Sequence, residues 1–324
     1  VWEGNQVWLV LGGGAIFAAW PQLYAVSFSG FYLAMFAVLV PLILRPVAFK
    51  FRSKHDDAAW RNRWDWVLCL TGIVPSLLFG VAVGNVILGV PFRLADDLRI
   101  YYEGTFFGLL TPFALLCGLV SLSMILMHGA SWLVFKAEGA VAERAARYGS
   151  IFAILTTVLF AAAGVWLALG VNGFVITSDI NPVGPSNPLN KTAAVAAGAW
   201  MANFKAQPLL WLLPAIGLVM PLITAVGLRG RREWLSLMAS GLAIAGIILT
   251  VGAAMFPMIL PSTVDPRFSL TVWDSSSSHL TLFIMLVCTC VFLPLILVYT
   301  SWVYSILRGK VDPVAIATGK GHSY

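Results

Sequence analysis

Two carboxylates, Glu3 and Asp65, lie where long apolar segments of the chain begin. A carboxylate at the depth of a lipid bilayer is costly unless it is paired, protonated or hydrated, so it is a candidate for proton transfer. Two roles are open to Glu3, which has polar neighbours: proton relay or structural hydrogen bonding. Asp65 stands beside Arg61 and Arg63, which favours an ion pair at the membrane surface.

The four histidines and four cysteines predict no metal or haem site in this chain. Haem ligation by imidazole needs two histidines at one membrane depth, or one histidine paired with a methionine. Only His128 lies inside an apolar segment, and we expect it to be a hydrogen-bonded structural residue. The cysteines show no CxxC spacing and no Cys/His cluster, so no metal ligand set is expected.

Apolar residues dominate the sequence, at 60% of the chain against 10% charged residues, with a mean hydropathy of +0.88. A soluble domain needs far more charge to cover its surface. Eight apolar segments each hold roughly 19–29 residues, enough to cross a hydrocarbon core of about 30 Å as helices. We therefore predict an all-α polytopic membrane protein and a single transmembrane domain over 1–324. The segments are 2–20, 22–44, 65–88, 108–135, 148–171, 204–227, 234–260 and 279–307.

Basic residues indicate the orientation of these segments, because fifteen of the 20 Lys and Arg residues fall in alternate gaps. By the positive-inside rule those gaps face the cytoplasm, and so does the C-terminus. The net charge of +6 reflects this topology and indicates no nucleic-acid partner. The basic gaps are 45–64, 136–147, 228–233 and the tail after 307.

The first 44 residues must contain a turn, since one continuous helix of that length would measure about 66 Å, twice the membrane thickness. Pro21 places the break at Trp20-Pro21. Residues 7–20 alone would span only about 21 Å, too short to cross. The first span must therefore include Glu3, at its cytoplasmic end.

Small residues and prolines inside the segments leave two classes of function open. Gly80 and Gly84 have the small-xxx-small spacing that lets membrane helices approach closely. Prolines such as Pro214 and Pro221 break helices and could line a transport path, although apolar neighbours flank both. These apolar neighbours weaken the interpretation as a secondary transporter or channel without excluding it.

Short motifs along the whole chain resemble subunit II of the cytochrome bd-type quinol oxidases. They occur in the family's order, and several are five residues or longer. The motifs are Gly4-Asn5-Gln6-Val7-Trp8-Leu9, Phe17-Ala18-Ala19-Trp20-Pro21, Phe28-Ser29-Gly30-Phe31-Tyr32, Arg45-Pro46-Val47, Phe51-Arg52-Ser53-Lys54, Trp60-Arg61-Asn62, Trp64-Asp65-Trp66, Ser186-Asn187-Pro188-Leu189-Asn190-Lys191 and Leu270-Thr271-Val272-Trp273-Asp274.

The resemblance implies a nine-helix subunit of the bacterial inner membrane that binds no haem and packs against a subunit I of similar fold. Four-helix bundles are expected, with 279–307 peripheral. The partner would carry two b haems, haem d and the quinol site, and the complex would reduce dioxygen to water with protons from the cytoplasm. A structural quinone, bound lipid and a small accessory subunit are further expectations.

The sequence departs from the family pattern at two places. The family opens with a helix bearing a Thr-Asp-Gly-Phe-Asp-like stretch that has no counterpart here, and we expect truncation to be the reason. Lys50 stands where relatives have an acid on a proposed proton route. The resemblance makes Glu3 and Tyr324 the first candidates for that route, and Arg45 and Asp65 further candidates.

Overall fold

The computed structural model describes residues 2–179, 184–307 and 309–311. Within these ranges the protein is predominantly helical, which confirms the all-α prediction. The ten α-helices are α1 (Trp2–Ala19), α2 (Pro21–Gly30), α3 (Tyr32–Phe51), α4 (Ala58–Leu88), α5 (Pro112–Lys136), α6 (Gly139–Gly170), α7 (Ala202–Ala206), α8 (Leu212–Arg229), α9 (Glu233–Met255) and α10 (His279–Ile306).

Seven helical segments of the described chain are long and apolar enough to cross a membrane: α3 to α6, α8 with the turn that precedes it, α9 and α10. The remaining predicted span is α1, whose 18 residues correspond to about 27 Å. Its apolar part, Gln6–Ala19, is shorter than a span. The helix therefore begins among the polar residues around Glu3, as the length argument requires.

The predicted break at Trp20-Pro21 is confirmed, because α1 ends at Ala19 and Pro21 is the first residue of α2. Proline is favoured there, since its fixed φ suits a first helical turn and the N–H it lacks would have no helical partner. The predicted span 22–44 has a second irregularity at Phe31. Helical bonding nevertheless continues, from the Phe31 N–H to the Ser27 carbonyl at 2.8 Å.

Several helices extend beyond the predicted spans. The start of α4 is fixed by Asp57, whose carboxylate accepts hydrogen bonds from the Ala59 and Trp60 N–H groups at 3.1 and 3.2 Å. Likewise α6 begins at Gly139, nine residues before its apolar core. Hydropathy marks the part of a helix that lipid would cover, whereas caps determine where the helix ends.

The predicted end of the span 234–260 is wrong, because α9 ends at Met255. Pro257 has no N–H to donate to a helical carbonyl. After it the chain runs as strand β5 (Met258–Leu260), which pairs with β6 (Leu270–Thr271). The last residues of that apolar run are therefore extended rather than helical.

Three antiparallel hairpins occupy the gaps that are poor in basic residues. The first joins β1 (Phe92–Leu94) to β2 (Ile100–Tyr102), and the second joins β3 (Asn172–Ile176) to β4 (Ala193–Ala197). The third is β5–β6. We call residues 89–111, 171–179, 184–207 and 256–278, which contain these hairpins, the hairpin layer.

The chain forms two compact units, residues 1–122, 162–209 and 251–281 in the first, and the other residues in the second. The hairpin layer belongs to the first unit and has its own apolar core. Fully buried Phe92, Leu260 and Leu270 pack there with Val26 of α2. In the second unit, Met127 and small residues such as Ala153 and Ala243 form the core. The single domain expected over 1–324 stays a prediction.

Close approach of α4 and α5 confirms the expected role of Gly84 and Gly80. A Cβ at Gly84 would lie 2.7 Å from the Ala114 Cα, and one at Gly80 would collide with the Cys117 carbonyl oxygen. Gly118 of α5 is equally confined, against Leu77 and the side chain of Val81. Backbones this close gain dispersion contacts that larger side chains would prevent.

A buried ion pair between Lys191 and Asp274 connects two segments of the hairpin layer, 184–207 and 256–278. The Lys191 Nζ lies 2.7 Å from Asp274 Oδ2, with the two side chains only 4% and 14% exposed. Lys191 also donates to the Pro188 carbonyl, and Asp274 accepts from the Thr271 N–H. Burial lowers the pKa of the Lys191 ammonium, and the attraction of Asp274 opposes this shift.

We expect Lys191→Met to destabilise the protein by about 3–5 kcal/mol, because it leaves the Asp274 carboxylate buried and unpaired. The measurement is the thermal midpoint of the purified complex. Replacing both residues, with Lys191→Met and Asp274→Leu, should recover much of the loss, since no lone charge then remains buried.

The matched control is Arg99→Met, which removes an exposed ion pair with Asp97 in the same layer. Exposed pairs contribute little to stability, so this variant should stay close to wild type. An equal change in the thermal midpoint for Lys191→Met and Arg99→Met would show that the buried pair does not stabilise the protein more than an exposed one.

Candidate functional site

The basic ends of α3 and α4 lie side by side in an antiparallel register. Two contacts define it: Arg52 binds Asp65, and the Arg45 side chain lies against Gly72. Arg45 precedes Arg52 by seven residues, and Gly72 follows Asp65 by seven residues, so the two helices run antiparallel. Seven residues correspond to two turns, so Arg45 lies about 10 Å farther along the helix pair than Arg52.

Asp65 forms an ion pair, as expected, but its partner comes from α3 and not from its sequence neighbours. Arg52 Nε and Nη2 donate to the two carboxylate oxygens at 2.5 and 3.0 Å. Arg61 binds Asp56 instead, at 2.6 Å. With both side chains of the Arg52–Asp65 pair nearly half exposed, the bond positions the helix ends more than it stabilises them.

Arg45 is partly buried, two turns inside the helix pair. Its Nη1 lies 3.4 Å from where a Cβ of Gly72 would be, so a glycine here gives the guanidinium room against the α4 backbone. A permanent positive charge at this depth is expensive in lipid and can hold or orient an anionic group. Arg45 is therefore the strongest described candidate for a functional charge.

The other candidates are less well defined by the structure. Glu3 belongs to the first turn of α1, but its side chain lies outside the described part. Tyr324 also lies outside the described residues. Lys50 is exposed in the last turn of α3. The structure thus places Arg45 and Asp65 along one helix pair and leaves the positions of Glu3 and Tyr324 relative to them untested.

His128 contacts Ser240, with Nδ1 2.9 Å from the serine Oγ, in the interior of the second unit. In the described ranges, no group of three or more His, Cys, Asp or Glu side chains could hold a metal ion.

A groove of about 470 Å³ opens in the first unit where α4, α5, α6 and β3 meet. Its walls are mainly apolar, and the rings of Phe113 and Trp166 make an edge contact there at 5.9 Å between centroids. Thr111, Asn172 and Thr263 supply polar groups. Such a lining suits a flat, largely apolar ligand with a few hydrogen-bond acceptors.

Sequence reasoning missed three of these features. Arg52 belongs to a basic gap and to the family motif Phe51-Arg52-Ser53-Lys54, and neither pattern predicts its partner. Asp274 was noted, but its pairing with Lys191 joins residues 83 positions apart, and no local pattern predicts that. The groove is lined by residues of four helices or strands and of further segments that are distant in sequence, including Val195 and Thr263, so no local sequence pattern predicts it.

Comparison with known proteins gives consistent matches along the chain. The family model described as cytochrome bd terminal oxidase subunit II matches residues 1–307. A "Probable cytochrome oxidase subunit 2" of Haemophilus influenzae is 48% identical over 323 residues, covering 100% of this chain and 85% of that protein. The "Cytochrome bd-I ubiquinol oxidase subunit 2" of Escherichia coli K12 is 47% identical over 310 residues, covering 96% and 82%.

The fold agrees with a solved structure. A chain of the bd oxidase from Geobacillus thermodenitrificans superposes with a TM-score of 0.66 at 17% identity, covering 95% of this chain and 83% of that one. At this identity the likeness shows the fold alone. The family match over nearly the whole chain, with two relatives close to 50% identical, shows that the chain belongs to the cytochrome bd terminal oxidase subunit II family.

Proposed function

We propose that this chain contributes to cytoplasmic proton uptake by a cytochrome bd-type quinol oxidase. As a member of the subunit II family it is a multi-pass membrane subunit of that oxidoreductase complex, whose haems sit in the partner subunit I. The finer assignments are part of the proposal: two b haems and haem d in the partner, an inner-membrane location and a cytoplasmic C-terminus. Contacts with quinol, lipid and a small accessory subunit also belong to it.

The observation that carries this function is the family match over residues 1–307, together with the helical fold shared with a bd oxidase. The alternative, a secondary transporter or channel, finds no support in these comparisons. In the oxidase the redox chemistry belongs to the haems, and the contribution of this chain is to assembly and to proton supply.

Purification through a tag on this chain should bring a haem-bearing partner with it, because membrane subunits are held together by packing that detergent extraction preserves. The measurement is the reduced-minus-oxidised haem spectrum of the purified material. The control is the same tagged chain expressed without subunit I, which should give no haem spectrum. A haem spectrum from the chain alone would contradict the assignment.

Proton supply is assigned to four residues with different roles. Glu3 is assigned the proton relay, a role that requires its carboxylate to titrate near neutrality. Arg45 provides a fixed positive charge two turns inside the α3–α4 pair that can orient anionic groups and water. The Arg52–Asp65 pair places Asp65 beside the C-terminal end of α3. Tyr324 acts through its hydroxyl and bound water, because a phenol with a pKa near 10 stays protonated.

Glu3→Gln should slow quinol-driven oxygen consumption markedly while haem content stays unchanged. The amide keeps the shape and hydrogen bonding of the side chain but removes its titrating proton. Glu3→Asp should be mild, since the carboxylate remains. Removing Tyr324 should lower the rate modestly, and a complete loss would indicate an assembly defect, which the haem spectrum would reveal.

Glu143→Gln is the matched control, because Glu143 is an acid in another basic gap and is already paired with Arg231 at 2.8 Å. It should leave turnover unchanged. The turnover of the Glu3→Gln variant is measured across about pH 6–9, the range in which a relay with a near-neutral pKa would titrate. Wild-type turnover over this whole range would show that Glu3 is a structural residue only.

The groove at Trp166 is proposed as the site of the structural quinone. A quinone ring could stack on the indole, and its carbonyl oxygens could accept hydrogen bonds from Asn172 or the threonine hydroxyls.

Trp166→Ala should reduce the quinone extracted per haem from the purified complex. Trp302→Ala, at an exposed tryptophan of α10, is the control. Unchanged quinone content after Trp166→Ala combined with Asn172→Ala would exclude this groove.

A further inference from the structure

In the second unit, α6 and α8 pack side by side along a seam. The Ser150 hydroxyl lies 3.4 Å from the Ala225 carbonyl oxygen, and the Thr157 hydroxyl donates to the Leu218 carbonyl at 3.3 Å. From the first contact to the second, α6 advances by seven residues and α8 goes back by seven, so the helices run antiparallel. This register shows which residues of the two helices lie at the same level.

Two arginines lie at nearly the same level beside this seam, at its basic end. Arg147 is three residues before the α6 contact at Ser150, and Arg229 is four residues after the α8 contact. Glu143, one turn before Arg147 on α6, binds Arg231 at 2.8 Å, so this face of α6 is turned toward the end of α8. Packed helices lie about 8–10 Å apart between their axes, and two arginine side chains can span that distance.

The carboxylates at this end of the unit are occupied by other cations. Three glutamates lie there, and their partners are Lys310 for Glu138 and Glu233, and Arg231 for Glu143. Among the described residues, no carboxylate pairs with Arg147 or Arg229, and both side chains are exposed. Two like charges at one level repel each other, so an anion held between them is attracted by both.

Exposed aromatic residues indicate the depth of these arginines in the membrane. Tyr148 follows Arg147 directly and is 55% exposed, and Trp234, in the first turn of α9, is 65% exposed. Tyrosine and tryptophan are enriched where the hydrocarbon core meets the headgroups. The arginines therefore lie at the depth of lipid phosphates.

Apolar side chains continue the seam from the arginines into the hydrocarbon region. Ile154 follows Arg147 by seven residues, and Leu222 precedes Arg229 by seven, so the two lie level with each other by the same register. Seven residues are two turns, or about 10 Å, and keep nearly the same helix face. Ile154 is 40% exposed and Leu222 is 45% exposed. A molecule that fits this surface carries an anionic group at one end and a hydrocarbon chain at the other.

We propose that this surface, which we call the seam site and define as Arg147, Arg229, Ile154 and Leu222, binds an anionic phospholipid. The phosphate lies between the two guanidinium groups, whose N–H donors match the geometry of phosphate oxygens. An acyl chain lies along Ile154 and Leu222. The inference rests on the proposed function, which includes lipid contacts and a cytoplasmic location for the basic gaps, and it assigns a place to one such contact. Basic surfaces between membrane helices on the cytoplasmic side are suited to anionic headgroups.

The first test measures lipid binding to the purified, delipidated complex by native mass spectrometry. Dioleoyl phosphatidylglycerol is the anionic probe, and dioleoyl phosphatidylcholine has the same chains without the net charge. Arg147→Gln combined with Arg229→Gln should weaken the binding of phosphatidylglycerol by about fivefold or more, because the charge-assisted bonds to its phosphate are lost. The preference over phosphatidylcholine should be lost as well.

The matched control is Arg144→Gln combined with Arg232→Gln. It removes the same number of charges from the same two basic gaps, about one turn farther from the seam contacts. This variant should keep most of the affinity for phosphatidylglycerol. Arg147→Lys with Arg229→Lys keeps both charges and should restore part of the affinity, and the haem spectrum of each variant monitors assembly.

The second test asks whether the acyl chain takes part in binding. Leu222→Trp fills the apolar part of the seam site without changing its charge, and the exposed side chain leaves room for the larger ring outside the core. Binding of phosphatidylglycerol should weaken. Inorganic phosphate at matched ionic strength should not displace the lipid, because it offers no hydrocarbon chain.

Two kinds of result would overturn the proposal. Equal losses in the seam-site variant and in its matched control would show general attraction to a basic surface and no defined site. Unchanged binding after Leu222→Trp, or displacement by inorganic phosphate, would show an anion site without lipid contact. Failure of the proposed function is distinguishable, because it would appear as a purified chain without a haem spectrum or as wild-type turnover of Glu3→Gln, and the lipid measurement depends on neither.

Discussion

A chain that crosses lipid must satisfy its own backbone hydrogen bonds, and the architecture of this protein follows from that constraint. Where the path bends, the bonding continues: the Trp20 N–H reaches the Ile16 carbonyl, and the Phe31 N–H reaches Ser27, both at 2.8 Å. Extended backbone occurs in the three hairpins, whose strands bond to each other in pairs. At least one helical hydrogen bond is therefore kept at each bend, which limits the number of polar groups that would be exposed to lipid.

The same constraint acts on polar side chains inside the helices. Ser150 and Thr224 donate to carbonyls four residues earlier in their own helices. Hydroxyls bonded in this way are satisfied and cannot also relay protons without breaking that bond. Side-chain hydroxyls also join helices, as in the Thr156–Ser123 bond at 3.0 Å and the His128–Ser240 contact. Among the charged candidates, Asp65 lies beside the end of α3, whereas Arg45 lies two turns farther inside the α3–α4 pair.

Hydropathy, helix length and small-residue spacing predicted the helices, the break at Trp20-Pro21 and the close approach at Gly84, because these depend on local composition and spacing. Helix ends were less predictable, since the Asp57 cap and the strand after Pro257 depend on individual backbone partners. For the candidate site, sequence identified Asp65 as an ion-pair former but not its partner Arg52. That partner, like the Lys191–Asp274 pair, depends on how distant segments register against one another.

The basic residues from which the positive-inside rule predicts the orientation of the chain also make contacts in the folded protein. A cation in a short gap resists transfer across the membrane and so fixes topology before tertiary contacts exist. Once the helices have packed, Arg52, Arg231 and Lys310 bind carboxylates of other helices. Lys136 binds carbonyl groups at the end of α10 instead. Neutralising one of these charges therefore removes a contact between helix ends and also one contribution to the orientation of the chain. Charge-conserving substitutions separate the two effects. Exchanging Lys for Arg keeps the topological charge and changes only the geometry of the bond.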